Sequence, residues 1–528
     1  MRQSRSMAAD GRRRFPLAIL AISANPRIGI AVVLLSLCRV AVGAEAPAPS
    51  SPAAREPASD STTRYRFIER YALTEDGARP EVITQYRVAI RETIKTSVDT
   101  PQGTPQRNET TLQTISSERP AQVSGTGVVT AVVRRYEAFR ITPVSSAAPS
   151  GGRLLEGLTL WYRPRAGQAP QILCLTEKAT LRDLEYNVAA RQVYLPDLTA
   201  ALPALPSRIG ERWKLPLTAV QAMLGERPMR GEPLMATLLE VKPGAKGPML
   251  MAVIGVAGRV SLPGGETLIN ARIQFAFSPP TAADLGPDRA RGEAGTVDAR
   301  GSITGVRLAL STTAGLAAPD DRLRRTQTRE VVLERQRGTG GPPLAIPEPP
   351  PTATDENSWL TYDDPKGRFH FRHPQDFRPA PRAGTDSVDL VQFRPEGLGV
   401  VTLQTQAKGA DPTVERQNLD PETHRARLNA EWAGQRLDVK RGPVGWLPEA
   451  DWAQSGLKVY RIEAALKPLG DAVAAGGQPR YFDYYLILSR RAESLIVTAM
   501  TVQNPSLGFR DQVEALLKTY EVGPAPGR

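Results

Sequence analysis

The sequence predicts an α+β protein in which a mainly antiparallel, curled β-sheet domain precedes an α/β/α sandwich domain. Long stretches of the first half alternate polar and apolar residues, as in residues 82–98, and few of its runs have helical periodicity. The second half combines strands of nearly continuous apolar character with amphipathic helices. A proline-rich segment separates the two patterns, so we expect each half to fold around its own core.

The 528 residues are too many for one hydrophobic core, which indicates two domains of ordinary size. A disordered Pro/Ala/Ser-rich linker at 45–63 and a stiffer proline-rich linker at 337–358 have compositions that do not bury a core. The second linker contains three consecutive prolines, Pro349–Pro351, which favour an extended conformation. The predicted domains are therefore 64–336 and 359–523, followed by a disordered tail at 524–528.

Residues 1–44 have the pattern of a signal peptide for export. Arginines precede an apolar run, Ile28–Cys38, and small residues follow it in the order expected for cleavage after Ala44. This run is short for a membrane span. We therefore expect an exported protein that is periplasmic, extracellular or envelope-associated. A retained N-terminal anchor is the alternative, and the membrane is expected to be contacted only through this leader.

The net charge of +12 is weak support for a nucleic-acid partner. Residues 1–44 hold seven arginines and one acidic residue, Asp10, and account for half of the excess. The remaining chain has 60 basic and 54 acidic side chains, which is a weak field for phosphate backbones. The densest basic stretch, 322–337, is interrupted by glutamates and lacks aromatic residues for base stacking. We interpret it as the solvent-facing side of a strand and expect no nucleic acid.

Strands connected by short turns account for most of the first predicted domain. The alternating pattern predicts one short helix, Leu217–Leu224, which Gly225 ends. A large antiparallel sheet made of consecutive hairpins curls, and its concave face offers a place for a ligand. The predicted strands lie within residues 64–73, 82–98, 127–141, 154–164, 233–277, 302–313 and 329–337.

The second predicted domain mixes helices and strands. A helix begins with Asp420 as N-cap and Pro421 in its first turn, and it places Leu428 and Trp432 on one stripe. Apolar strands follow at 457–466, 480–489 and 493–502, and the last two form a hairpin. A closing helix begins at about Leu507 and presents one apolar face: Phe509, Val513, Leu516, Leu517 and Tyr520.

The stretch WLTYDDPKGRFHFRHPQDF, residues 359–377, resembles the start of PsbP-like domains. An aromatic–Pro–Gly–aromatic hairpin runs into a proline and a short loop, although Phe377 stands where these domains often have tryptophan. The resemblance covers residues 359–523 and implies a non-catalytic binding or accessory module. The first domain resembles exported bacterial β-rich domains of unknown function through the spacing of Leu205, Pro206, Gly210 and Trp213.

No catalytic, cofactor or metal site is expected from the motifs. His370 and His373 are three residues apart in a predicted strand and so point to opposite faces, which disfavours joint metal binding. We expect them to be partly exposed, and a pH-sensing role would require a carboxylate such as Asp363 or Asp376. Asp363 and Asp364 precede a proline and predict a turn. Cys174, within ILCL, is interpreted as a small buried apolar side chain.

The segment 442–456 is the one candidate recognition site. Trp446 and Trp452 lie in a Gly/Pro-bounded stretch between predicted strands, and exposed tryptophans there would form a binding lip. The alternative is that both rings fold against the sandwich.

The leading hypothesis is an exported, non-enzymatic binding or scaffolding protein of the cell envelope, with an unknown protein or envelope component as partner. The first alternative is a carrier that holds a lipid or other apolar ligand on the concave face of the first sheet. The second is a hydrolase of envelope polymers that uses a pair of carboxylates meeting in a cleft.

Overall fold

The computed structural model describes most of the chain between Thr63 and Gly523. The predicted leader, residues 1–44, the first linker up to residue 62 and the tail at 524–528 lie outside the described residues. The described ranges are 63–69, 85–99, 106–124, 129–143, 154–165, 170–225, 230–231, 233–244, 249–262, 265–278, 296–315, 324–338, 343–365, 367–381, 387–394, 397–406, 420–434, 437–452, 457–468, 480–489, 494–501 and 508–523.

One large sheet dominates the first half. In the described part of the chain it has 13 strands, and eleven of them follow the order β6-β5-β4-β3-β2-β14-β13-β12-β11-β10-β8. Strand β9 pairs with β11 in antiparallel orientation, and β1 pairs with β13 in parallel orientation. All other neighbours are antiparallel. The strands are β1 (Arg64–Glu69), β2 (Tyr86–Asp99), β3 (Gln106–Val123), β4 (Val129–Pro143), β5 (Thr159–Arg163), β6 (Gln171–Cys174), β8 (Arg212–Lys214), β9 (Arg230–Gly231), β10 (Met235–Pro243), β11 (Leu250–Leu262), β12 (Gly265–Phe277), β13 (Thr296–Gly315) and β14 (Arg324–Arg337).

Alternation along the strands gives this sheet an apolar inner face and an outer face that is mainly polar, except where the segment after β14 covers β4 to β6. In β2, every second side chain from Tyr86 to Glu92 is buried, and the residues between them are exposed. Three helices lie against the inner side: α1 (Asp183–Arg191), α2 (Leu195–Leu198) and α3 (Leu217–Leu224), with a 3-10 turn at Thr199–Ala201. The predicted helix Leu217–Leu224 is confirmed. It ends at Gly225, whose φ of 75° suits glycine.

The large sheet must curl, because residues from many of its strands meet in one apolar cluster. Eleven consecutive strands at about 4.8 Å spacing make a surface about 48 Å wide. Nevertheless, residues of seven strands, β1, β2 and β10 to β14, share one apolar cluster with the short helices α2 and α3. The remaining strands β4 to β6 close a second cluster with α1 on the same inner side.

The segment after β14 crosses the outer face of the first sheet. Leu344 is buried beside Trp161 and Leu173. The Leu344 amide donates to the Gln85 side chain at 2.6 Å, and Arg119 donates to the Leu344 carbonyl at 2.6 Å. This part of the predicted linker therefore lies against the sheet. The short helix α4 (Asp355–Ser358) follows it.

A four-stranded sheet joins the two halves of the chain. It has the order β24-β16-β15-β7, and β7 (Leu181–Arg182) from the first half pairs in parallel with β15 (Leu360–Asp363). Leu360 is fully buried within the cluster of the first half. The other strands are β16 (Phe369–His373) and β24 (Glu521–Val522). The halves thus share backbone pairing, and the predicted domain boundaries stay predictions.

The second half contains a seven-stranded antiparallel sheet in the order β17-β18-β19-β23-β22-β21-β20. Its described helices are α5 (Pro421–Gly434), α6 (Glu449–Trp452) and α7 (Phe509–Lys518). The predicted apolar face of the closing helix is confirmed, because its four members within α7 are buried. Tyr520, two residues after the end of α7, is buried as well. The strands are β17 (Phe377–Pro381), β18 (Ser387–Arg394), β19 (Gly397–Gln406), β20 (Leu437–Trp446), β21 (Leu457–Pro468), β22 (Arg480–Ser489) and β23 (Ser494–Thr501).

The predicted fold class, α+β with a PsbP-like α/β/α sandwich, is wrong. The described chain is mostly antiparallel β-sheet, and strands outnumber helices in the second half as well as the first. The physical reason lies in the apolar strands at 457–466, 480–489 and 493–502. Continuous apolar character reports burial on both faces, but it does not reveal whether helices or further sheet provide that burial.

Candidate ligand-binding site

Rows of apolar side chains cross the inner face of the large sheet at right angles to the strands. One such row runs over four neighbouring strands in register, and each of its side chains is at most 5% exposed. The rows above and below it are also largely apolar. The inner face therefore forms a broad hydrophobic surface. The residues of this row are Ile273, Val306, Leu333 and Ile90.

Residues 192–224, called the cover below, lie over this surface, apart from β8, which pairs with β10 within the sheet. Their apolar side chains enter the same cluster as the strand residues. The buried cover residues include Leu195, Leu198, Ala201, Leu215, Ala219, Val220, Met223 and Leu224. The cover also bonds to the strands, since Tyr65 and Ser207 exchange backbone hydrogen bonds at 2.9 and 3.0 Å. The inner face is thus packed by the chain's own residues.

Arg329 fastens both ends of the cover to the sheet. Its guanidinium donates to the Arg191 carbonyl at 2.9 Å and, more weakly, to the Leu224 carbonyl at 3.5 Å. These carbonyls belong to the last residues of α1 and α3, where a cation is favoured by the helix dipole. The Glu92 carboxylate accepts from the Arg329 Nε at 2.7 Å. The cover therefore begins and ends at one charged point of the inner face.

Arg134 forms a second polar attachment, called the Arg134 network. Its guanidinium lies 2.7 Å from the Glu118 carboxylate, donates to the Gln192 side chain at 2.8 Å and is 2% exposed. The Tyr136 hydroxyl also donates to Gln192, at 2.9 Å. Burial alone lowers the pKa of Arg134, but the nearby Glu118 and Tyr136 raise it above its usual value, so the guanidinium stays charged. Gln192 is the first residue of the cover.

Asp197 of α2 is a partly buried carboxylate of the cover. Burial raises its pKa to about 6, from an ordinary value of 3.8. Tyr162, whose ring stacks on that of Tyr194 at 4.8 Å, is buried nearby. Burial likewise raises the pKa of Tyr162. The cover therefore carries an acid that is partly protonated near pH 6.

The interpretation of 322–337 as a wholly solvent-facing stretch is wrong. Arg329 and Arg335 point to the inner face, because they share parity with the buried Val331 and Leu333. Arg335 pairs with Glu69 at 2.6 Å, and its guanidinium lies 3.6 Å from the centre of the Tyr86 ring. Inner arginines are tolerated because each has a carboxylate from another strand.

The expectation of partly exposed histidines is wrong. His373 is fully buried, with its Nε2 3.1 Å from the Asp183 carboxylate and its Nδ1 2.8 Å from the Pro374 carbonyl. His370 is 9% exposed and contacts the Gly523 carbonyl at 2.9 Å. Its neighbouring carboxylate is Glu521, at 3.5 Å. The partners are therefore Asp183 and Glu521 rather than Asp363 or Asp376, and the two rings contact separate groups.

His424, the third histidine, is 2% exposed in α5 and contacts Arg427 at 3.1 Å.

The predicted turn after Asp363 is confirmed, since the Gly367 amide donates to the Asp364 carbonyl at 2.7 Å. Arg368 donates to the Asp364 carboxylate at 2.7 and 2.8 Å. The prediction for Cys174 is also confirmed, because its side chain is buried in the cluster of β4 to β6.

The two tryptophans proposed as a lip have different environments. Trp452, in α6, is 2% exposed and packs in the core of the second half, so it does not contribute to an exposed lip. Trp446 is 43% exposed at the end of β20, the outermost strand of its sheet among the described residues. Its ring meets Tyr460 edge-on at 5.3 Å, and the Lys458 ammonium lies 4.6 Å from its centre. The apolar ring of Trp452 is buried because α6 folds back onto β21.

Among the described residues, no group of three or more histidine, cysteine, aspartate or glutamate side chains is placed to hold a metal ion. The inner-face glutamates Glu69, Glu92 and Glu118 are each paired with an arginine. A pair of free carboxylates, as the hydrolase hypothesis requires, is not formed by these three. No helix in the described part of the chain is long and apolar enough to span a membrane.

The chain has only weak similarity to the solved structures with which it was compared. Neither a known protein family nor a curated protein matches the chain. OprB of Pseudomonas putida is 8% identical, with 79% of this chain and 93% of that chain covered and a TM-score of 0.13. The outer membrane protein OprD from Pseudomonas aeruginosa is 9% identical, with 79% and 92% covered and a TM-score of 0.10. A LolA superfamily protein from Nitrosomonas europaea is 7% identical, with 48% and 87% covered and a TM-score of 0.10. Scores of this size do not indicate a shared fold.

Proposed function

We propose that this chain is an exported, non-enzymatic binding protein of the cell envelope, and that it binds an apolar ligand on the inner face of its large sheet. The leader pattern at 1–44 supports export. The observation that carries the ligand proposal is the broad apolar inner face, closed by short helices rather than by a second sheet.

Short helices make a weaker closure than a sheet. The helix α2 and the 3-10 turn have four and three residues, too few to be stable without tertiary contacts. The cover is fastened at defined points, the carbonyls of Arg191 and Leu224 on Arg329 and the side chain of Gln192 on Arg134. A ligand enters when α2 and α3 shift from the inner rows and apolar contacts with the ligand replace those with the cover.

The test uses a fluorescent fatty-acid analogue, 11-(dansylamino)undecanoic acid, titrated into the full chain without detergent. Leu310→Gln places an amide on the inner face, where Leu310 is 7% exposed. Ala309→Gln is the matched control, because Ala309 is the neighbouring outward residue of the same strand. We expect saturable binding by the wild type and by Ala309→Gln, and weaker binding by at least fivefold in Leu310→Gln. Wild-type protein that gives no saturable signal refutes the proposal.

Scaffolding is the second candidate function, and the exposed Trp446 favours it. An aromatic ring 43% exposed on an outermost strand is suited to a protein partner. Pull-down from envelope extracts with the full chain compares wild type with Trp446→Ala, and Val444→Ala, which is 39% exposed on the same strand, serves as control. Partners lost only from Trp446→Ala support this role, and identical partners in all three remove it.

A further inference from the structure

A row of uncharged polar side chains borders the apolar inner face at one end of the sheet. Strand register places one residue from each of five neighbouring strands in this row, which we call the polar row. At about 4.8 Å between strands, it is about 19 Å long. Its residues are Thr267, Thr312, Gln327, Thr96 and Asn108.

The polar row carries hydroxyl and amide groups only. Thr267 is fully buried, and its hydroxyl lies 2.8 Å from that of Thr312. The remaining four residues are half-buried. The outer face of the same strands differs, since Lys95, Glu109 and Glu330 alternate with the inner residues there. The four half-buried members of the row can therefore donate or accept hydrogen bonds without adding charge, and Thr267 orients the Thr312 hydroxyl.

The apolar surface begins immediately beside the polar row. The next inner positions of β12 and β13 are Ile269 and Leu310, both members of the apolar cluster. On β14 the inner neighbours of Gln327 are Arg325 and Arg329, and Arg329 is paired with Glu92. They lie two residues along the strand, which is about 7 Å. Polar and apolar groups are thus arranged side by side on one face, as an amphiphilic ligand requires.

We propose that the polar row binds the hydroxyl-rich, uncharged head of an amphiphile, a sugar, while the apolar tail of the same molecule lies on the inner face. This inference rests on the proposed function and specifies the class of ligand. A sugar presents several hydroxyl groups that both donate and accept, which matches threonine, glutamine and asparagine side chains. Within the row a phosphate or ammonium head would lack a partner of opposite charge, and the neighbouring Arg329 is already paired with Glu92.

The experiment compares two detergents with the same twelve-carbon tail, dodecyl maltoside and dodecylphosphocholine, by isothermal titration below their micelle concentrations. The inner double variant Thr96→Val/Thr312→Val removes two hydroxyls while keeping side-chain shape. The control, Thr93→Val/Thr313→Val, makes the same changes on the outer face of the same two strands. Thr96→Val alone, which leaves the Thr267–Thr312 contact intact, serves if the inner double variant does not fold.

We expect the maltoside to bind more tightly than the phosphocholine to the wild type. The inner double variant should lose about tenfold in maltoside affinity, from two hydrogen bonds, with phosphocholine binding unchanged. The control should bind both as wild type does. Equal loss for both detergents, or an equal loss in the control, overturns the sugar assignment while the apolar site stands. Absence of binding by either detergent contradicts the proposed function itself.

Discussion

Replacing Glu118 by glutamine tests whether the Arg134 network holds the inner face together. The substitution keeps the size and shape of the side chain but removes the charge that balances Arg134. The guanidinium is 2% exposed and lies 2.7 Å from the Glu118 carboxylate. Breaking one partner of a buried ion pair costs about 3–5 kcal/mol. Because glutamine retains an accepting oxygen, we expect the lower end of this range.

A loss of about 3 kcal/mol corresponds to roughly 6–12 °C in melting temperature for a body of 150–250 residues. Scanning calorimetry of the full chain measures it. The control is Glu266→Gln, which breaks the Arg259–Glu266 pair at 3.2 Å in the same sheet, where the side chains are 63% and 58% exposed. That change should cost less than about 1 kcal/mol. A melting temperature of Glu118→Gln within about 1 °C of wild type refutes the reasoning.

The combined replacement Arg134→Met/Glu118→Leu separates charge balance from mere packing. Both charges are then absent, so no unpaired ion remains in the buried site. We expect this double variant to be more stable than Glu118→Gln. Equal or lower stability would show that the polar contacts themselves, including those to Gln192, determine the fold here.

Three single substitutions test other contacts in the described part of the chain. Asp197→Asn should leave the unfolding free energy unchanged below pH 4 and raise it by about 1 kcal/mol above pH 6. This magnitude is smaller than the pKa shift to about 6 alone would give, because the carboxylate is partly in contact with solvent. Urea titrations across pH 4–8 measure the difference from wild type, and a difference that is constant with pH would contradict the prediction. The sign follows because the pKa of Asp197 is higher in the folded protein than in the unfolded chain. The wild-type unfolding free energy therefore falls as the pH rises from 3.8 to about 6, and the asparagine variant avoids this loss. Asp183→Ala removes the carboxylate beside the buried His373, so backbone hydrogen exchange in β15 should become faster while exchange in β12 stays unchanged. Exchange in β15 at the wild-type rate would show that the His373–Asp183 contact does not stabilise this strand. Gly225→Ala should lower the unfolding free energy by about 1–3 kcal/mol, because the backbone φ of 75° is strained for alanine and the new Cβ would lie 3.3 Å from the Arg191 Cα. An unchanged melting temperature would contradict this prediction.

Local patterns in the sequence identify many individual elements. Alternation in 82–98 corresponds to β2, and the Leu217–Leu224 helix ends at the glycine expected. The closing helix buries the predicted face. These features depend on residues a few positions apart, which is the range over which periodicity carries information.

Contacts between distant residues could not be predicted in the same way. Arg329 and Glu92 are 237 residues apart, and His373 and Asp183 are 190 apart. Their proximity depends on strand order, which the sequence pattern does not contain. The misassigned fold class has the same origin, because an apolar strand is equally consistent with burial by helices or by sheet. A usable signal did exist in Arg134, a charged residue within the apolar run of β4 that needed a buried partner.

Photo-crosslinking locates an apolar ligand bound to the proposed site, the inner face of the large sheet. A palmitic acid bearing a diazirine on its chain is bound to the full protein, irradiated, and the adducts are located by peptide mass mapping. We expect adducts on inner residues of β12, β13 and β14 and on α3. Adducts confined to the outer face or to the strand of Trp446 would contradict it.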